Sequence, residues 1–160
     1  MPLVVADAGP LNYLVRIGAV DVLSDLFGEV VIPASVRNEL LHPKAPEVVR
    51  QWAAELPSWA TLMHKEGVLI GKLGRGESEA LALAESLGAF GIIVDDADAR
   101  AVAREKQMRI YGTIGVLEQA AKEGLIDLPE IFSKLRATNF RGSDELFDAA
   151  LARDRARKQP

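Results

Sequence analysis

The sequence has no cysteine, so neither a disulfide framework nor a thiolate metal site is open to it, and a cytoplasmic protein is the default expectation. No apolar run approaches the roughly 18 residues that cross a bilayer, so no membrane partner is expected. The opening Met1-Pro2-Leu3-Val4-Val5-Ala6-Asp7 has no basic lead and soon meets an acid, which argues against a secretory signal. Positive charge is not in excess either: 19 Lys and Arg face 23 Asp and Glu, for a net charge of −4. That excludes a generic basic coat for nucleic acid but leaves room for a local basic rim around an acidic centre. Histidine is scarce. His42 and His64 fall in polar connections and read as ordinary surface residues. What is present is 160 residues, 49% apolar, which is enough for one domain with a sizeable core.

Short apolar runs alternate with helical patterns along the chain. Leu3–Ala6, Glu29–Ile32, Gly91–Val94 and Arg109–Tyr111 read as strands, with Ser58–Met63 as an extended edge segment. Between them, Pro10 and Pro33 open helices, and Ala45–Leu56 reads as helical. The clearest helix starts at Gly76-Glu77-Ser78-Glu79, carries Ala80, Leu83, Ala84 and Leu87 on one stripe, and ends at Gly88. Helices over Ala97–Lys106 and Thr113–Lys122 follow the later strands. The stretch from His64 to Gly76 reads as an exposed connection. This alternation implies an α/β fold, a parallel sheet covered on both faces. We expect one domain over residues 1–137 and a polar, amphipathic tail over 138–160.

The chemistry-bearing residues are acids. Asp7 and the pair Asp95-Asp96 each follow directly on a buried strand, at the carboxyl edge where open parallel sheets bind ligands. Acids gathered there repel one another unless a cation sits among them, and magnesium or manganese suits carboxylate and water oxygens. Taken singly, Asp7, Asp95, Asp96 and Asp98 read as helix N-terminal acids; Asp98 stays in that class, whereas Asp7 and Asp96 together favour a site. Glu77 lies one turn before Ala80 and Leu81 on the buried face, and a first-turn dipole charge explains it equally well. Glu79 lies off the stripe and reads as solvated. Glu39 sits near a buried face about two turns into its helix, beyond the reach of the dipole, although alone it reads as a surface charge.

Five stretches carry a family likeness. They are Asp7-Ala8-Gly9-Pro10-Leu11, Ile32-Pro33-Ala34-Ser35-Val36-Arg37-Asn38-Glu39-Leu40, Gly74-Arg75-Gly76-Glu77-Ser78-Glu79-Ala80, Val94-Asp95-Asp96-Ala97-Asp98-Ala99-Arg100, and Gly112-Thr113-Ile114-Gly115-Val116-Leu117. In this order, across residues 1–126, they resemble PIN-domain proteins, and in particular a prokaryotic branch similar to VapC-type toxins. The resemblance implies a three-layer α/β/α sandwich with strand order 3-2-1-4-5. It implies metal-dependent cleavage of single-stranded RNA, with Mg2+ or Mn2+, and often a homodimer inhibited by a small antitoxin. By position Asp7, Glu39, Glu77 and Asp96 match the four family acids, and Asp95 is a neighbour placed to share the metal.

The sequence departs from that pattern twice. Gly9 stands where many toxins have Ser, Thr or Asn, and Val94 replaces a usual threonine. Both changes remove a polar group, and they support the alternative of a PIN-like module that binds nucleic acid or protein without cutting. Thr113 is a candidate hydroxyl near the metal but reads more readily as the N-cap of its helix. Lys65, Lys72, Arg75 and Arg100 lie near the expected mouth, where they could meet RNA phosphates, though each singly reads as solvated loop charge. A receiver-type domain is disfavoured because the acid pair follows a late strand, and a haloacid-dehalogenase-like phosphatase because Gly9 occupies its second acid position.

Overall fold

The computed structural model describes residues 2–160. Five short strands form one all-parallel sheet in the order β3-β2-β1-β4-β5: β1 (Leu3–Ala6), β2 (Glu29–Pro33), β3 (Ala60–Met63), β4 (Gly91–Ile93) and β5 (Arg109–Tyr111). The expected α/β sandwich and strand order are therefore both present. Alternation along each strand divides the core. Val4, Val30, Ile32 and Ile93 face one apolar cluster, while Val5, Val31, Ile92 and Val94 face the other. A strand buried on both faces must be apolar at every position, which is why these segments read as continuous runs.

The first cluster is covered by α1 (Ala8–Arg16), α2 (Val22–Leu26), α3 (Ala34–Leu40), α4 (Glu47–Ala54) and α7 (Thr113–Lys122), the second by α5 (Arg75–Leu87) and α6 (Ala97–Glu105). Gly88 ends α5 with φ +59°, a left-handed backbone that glycine adopts without a Cβ penalty. Gly91 has a different task. A Cβ there would lie 3.0 Å from both Arg109 O and Tyr111 Cε2, so glycine lets β4 and β5 pair closely.

Two helices complete the chain, α8 (Leu128–Arg136) and α9 (Asp144–Lys158). Ser143 caps α9 by accepting from the Leu146 amide at 3.2 Å. Phe147 and Ala150 of α9 are buried in the first cluster, and Phe147 meets Phe132 edge to face at 4.9 Å. The segment after residue 137 thus packs on α7 and α8 and shares their core. No described helix is long and apolar enough to cross a membrane.

The sheet order reverses direction at β1 and β4, which lie side by side. The Asp7 amide donates to Ile93 O at 2.9 Å, so the ends of these two strands are stitched together. Residues that follow them are neighbours by construction.

Candidate metal centre

Asp7 occupies the N-cap position of α1, with an extended backbone, yet its side chain accepts no capping bond. It is only 6% exposed. Its carboxyl is pushed up to about 7, chiefly by burial; the Ala8 amide opposes this, and the charges of Glu77, Glu39 and Asp95 add to it. A carboxylate whose only charged influences are other carboxylates is not explained by helix capping.

Glu39 and Glu77 reach the same place from two helices that pack together. Gly76 makes that packing possible. A Cβ there would overlap Glu39 Oε1 and lie 3.4 Å from Val36 Cγ2, so the glycine before Glu77 leaves room for the Glu39 carboxylate. Glu39 is raised by partial burial and by Glu77, against the pull of the Gly76 amide. Glu77, half-buried, is raised by burial and by Asp96, against the Gly74 amide, with Asp98 adding to the rise. The four acids drawn from separate segments are thus joined electrostatically, Asp7 to Glu39 and Glu77, Glu39 to Glu77, and Glu77 to Asp96.

The acids after β4 are employed differently from Asp7. Asp96 caps α6, its Oδ2 accepting from the Ala99 amide at 3.0 Å, and its exposed side chain keeps its other oxygen. Asp95 is engaged at both oxygens: Oδ1 accepts from the Thr113 amide at 2.8 Å, and Oδ2 from Thr113 Oγ1 at 2.6 Å. Thr113 is therefore not the cap of α7. Gly112 holds that position, and Thr113, fully buried, fixes Asp95 to the first turn. Asp98 is exposed in the first turn of α6. Arg75 is exposed and lines a shallow cavity with Glu39 and His42, while Lys72 is exposed on the connection into α5. Arg100 lies beside Asp95 and Gly112.

The expectation that Glu79 is solvated fails. Glu79 is 2% exposed, and it accepts from the amides of Ser35 and Lys65, both at 2.8 Å, with His64 Nδ1 at 2.8 Å from its Oε2. Burial alone would raise it, but the Lys65 and Ser35 amides and His64 outweigh that and hold it low. It clamps the start of α3 and the end of β3 to α5, the helices that carry Glu39 and Glu77. His64 is accordingly not an idle surface residue. The sequence signal was Leu83, one turn along the same face, which places Glu79 inward.

Among the described residues, no three acids or histidines converge into a ready-made ion cage. The donor set nevertheless fits a hard divalent cation. Such an ion takes oxygen ligands, and burial among other acids makes the charged form of Asp7 costly unless a cation offsets it. Asp7, Glu39, Glu77 and Asp96 are the residues placed to hold one.

A family model, DUF3368, described as a PIN domain, matches residues 3–155. Among solved structures, a PilT N-terminus domain protein from the hyperthermophilic archaeon Sulfolobus solfataricus is similar, with a TM-score of 0.50 and 14% identity. The match covers 88% of this chain and 99% of that one, and at this identity it speaks to the fold alone. No curated protein matches the sequence.

Proposed function

The chain belongs to the PIN-domain family, whose members are generally nucleases, and on that premise we propose that it is a divalent-metal-dependent endoribonuclease that cleaves single-stranded RNA. The observation that carries the reading is the buried Asp7 carboxyl, raised to about 7 among Glu39, Glu77 and Asp95 with no capping bond to account for it. A magnesium or manganese ion in this setting would supply electrostatic stabilisation to a phosphodiester and lower the pKa of water. The chain's own residues prepare the place. Asp7, Glu39, Glu77 and Asp96 would supply oxygen ligands. Asp95 and Thr113 hold the β4 and β5 ends in register, and Glu79 fixes the two glutamate-bearing helices. Arg75, beside Glu39, and Arg100, beside Asp95, are the cations we assign to the flanking phosphates of a strand.

The likeness of the ordered motifs to VapC-type toxins supports a toxin role in the cytoplasm, with a small antitoxin as inhibitor and a homodimer as the working form. A second reading, a module that binds nucleic acid or protein without cutting, is favoured by two positions. Val94 is fully buried in the second apolar cluster and Gly9 borders open space, so neither offers a polar group to the site.

The deciding experiment incubates the protein with mixed single-stranded RNA and manganese beside Asp7→Asn and Asp96→Asn. Asparagine caps a helix as well as aspartate, so Asp96→Asn removes charge while keeping the α6 cap. Metal-dependent products that vanish in both variants support the nuclease. RNA retention without products, unchanged by either substitution, supports the binding module.

A further inference from the structure

A cavity of about 340 Å³ opens beside the acidic centre, between the β5–α7 corner and the α8–α9 connection. Asp95, the sequence neighbour of Asp96 in the acidic centre, lines it. Arg100 and Arg141 both line it. Among the described residues neither guanidinium has an acid within salt-bridge distance, unlike Arg153 at the same rim, which is paired with Glu118 at 2.6 Å. Glu118, held by Arg153, and Tyr111 also line it, and the rest of the lining is apolar. Ile114 and Phe140 contribute, and Leu146 is 58% exposed on the first turn of α9.

Two glycines build this shape. A Cβ at Gly112 would come within 2.8 Å of Arg100 Nη1, so glycine lets Arg100 lie across the corner. A Cβ at Gly142 would come within 2.7 Å of Phe140 Cε2, 3.0 Å of Phe147 Cε2 and 3.3 Å of Ile114 Cδ1. Glycine therefore lets the Phe140–Gly142 segment close down on the core, which fixes Arg141 over the cavity.

We propose that this cavity holds a nucleotide flanking the scissile phosphate of a single-stranded RNA, with Arg100 and Arg141 against its phosphate and Leu146 and Ile114 against its base. The inference rests on the nuclease reading and extends it to the C-terminal helix, which becomes part of the substrate surface. Two unpaired cations beside an apolar floor match the two parts of a nucleotide, an anion and a flat apolar ring.

The test measures anisotropy of a short end-labelled single-stranded RNA across a salt series, in the full chain carrying Asp7→Asn, with magnesium. Arg141→Ala is expected to weaken binding about tenfold and to lower the log–log salt slope by about 0.7. Leu146→Asp should weaken it by about as much through the base. Both positions are exposed, and an acid suits the first turn of α9, so folding is expected to survive; thermal melts check it. Lys122→Ala, at the far end of α7, serves as control. Affinity and slope unchanged in Arg141→Ala and Leu146→Asp would overturn the proposal. So would a Leu146→Asp chain that loses a co-purifying protein while RNA binding stays at the parent value, which assigns the surface to a protein. Cleavage by the unsubstituted chain is scored separately. Arg141-dependent binding without cleavage leaves the cavity and removes the nuclease; cleavage with Arg141-independent binding does the reverse.

Discussion

Two groups of acids in this molecule meet opposite surroundings. On α7 and α9, Glu118 receives Arg153 at 2.6 and 2.9 Å and has Arg157 at 3.5 Å. Buried Asp154 lies 3.1 Å from Arg157 and 2.8 Å from Lys158. The Arg153 hydrogen bond holds Glu118 below its ordinary value despite its burial. At the carboxyl edge of β1 and β4, Asp7, Glu39 and Glu77 have other acids as their charged neighbours, and all three are raised, first by burial and then by those acids. Glu79, between the two extremes, is satisfied by backbone amides. The lesson is that burial alone does not mark a functional acid. An acid with its partners supplied by the chain belongs to the fold, and an acid left for an outside cation belongs to the site.

The largest effect that would sharpen this comparison is on activity. On the proposed nuclease reading, Asp7→Asn and Asp96→Asn should each lower RNA cleavage by about 100-fold or more, read as kcat/KM, because each would remove a ligand charge. The same substitution at Asp154 should leave cleavage near the parent rate.

Stability against pH should separate the groups by sign. Asp7 has a folded value of about 7 against 3.8 unfolded, so the native state holds its proton longer. Without divalent ions, stability from this group is full below 3.8 and is lost as pH rises to about 7, on the order of 4 kcal/mol. Glu118 and Glu79 run the other way: their contribution is present above 4.5 and is lost as pH falls through their depressed folded values. Urea unfolding across pH in chelator reads both limbs; a curve flat from pH 4 to 7 would break the comparison.

Glu79→Ala comes next. Removing the acceptor strands the amides of Ser35 and Lys65, and a loss of about 3 kcal/mol is expected, with Glu79→Gln costing less. An unchanged urea midpoint would return Glu79 to the solvated class. The smallest effect belongs to the exposed pair. Arg153→Ala should barely move the urea midpoint, since more than half of that side chain is already in water.

Much of the fold was readable from the chain because its strands are apolar on both faces and its helices are bounded by Pro and Gly. Asp7 was readable for the same reason, as an acid placed directly after a fully apolar strand. Glu79 was misread because its partners are backbone amides from two distant segments, which leave no side-chain pattern. Asp95 reads as a neighbour placed to share the metal and Thr113 more readily as a helix cap, and only the folded chain brings the two together as partners. The 138–160 segment reads as polar because α9 buries a narrow face, Phe147 and Ala150, under a run of charges that pair with α7 and one another. Arg141 was invisible as well, since its position follows from the tight packing at Gly142.

The most direct test is a melting titration with manganese of the parent chain and Asp7→Asn at pH 8. If the acids form one cation-requiring site, ion-free Asp7→Asn melts above the ion-free parent. Saturating manganese then raises the parent by an amount equivalent to about 2.7 kcal/mol at 100 times Kd and leaves the variant nearly unmoved. A parent indifferent to manganese, with Asp7→Asn melting lower in chelator, would contradict the account.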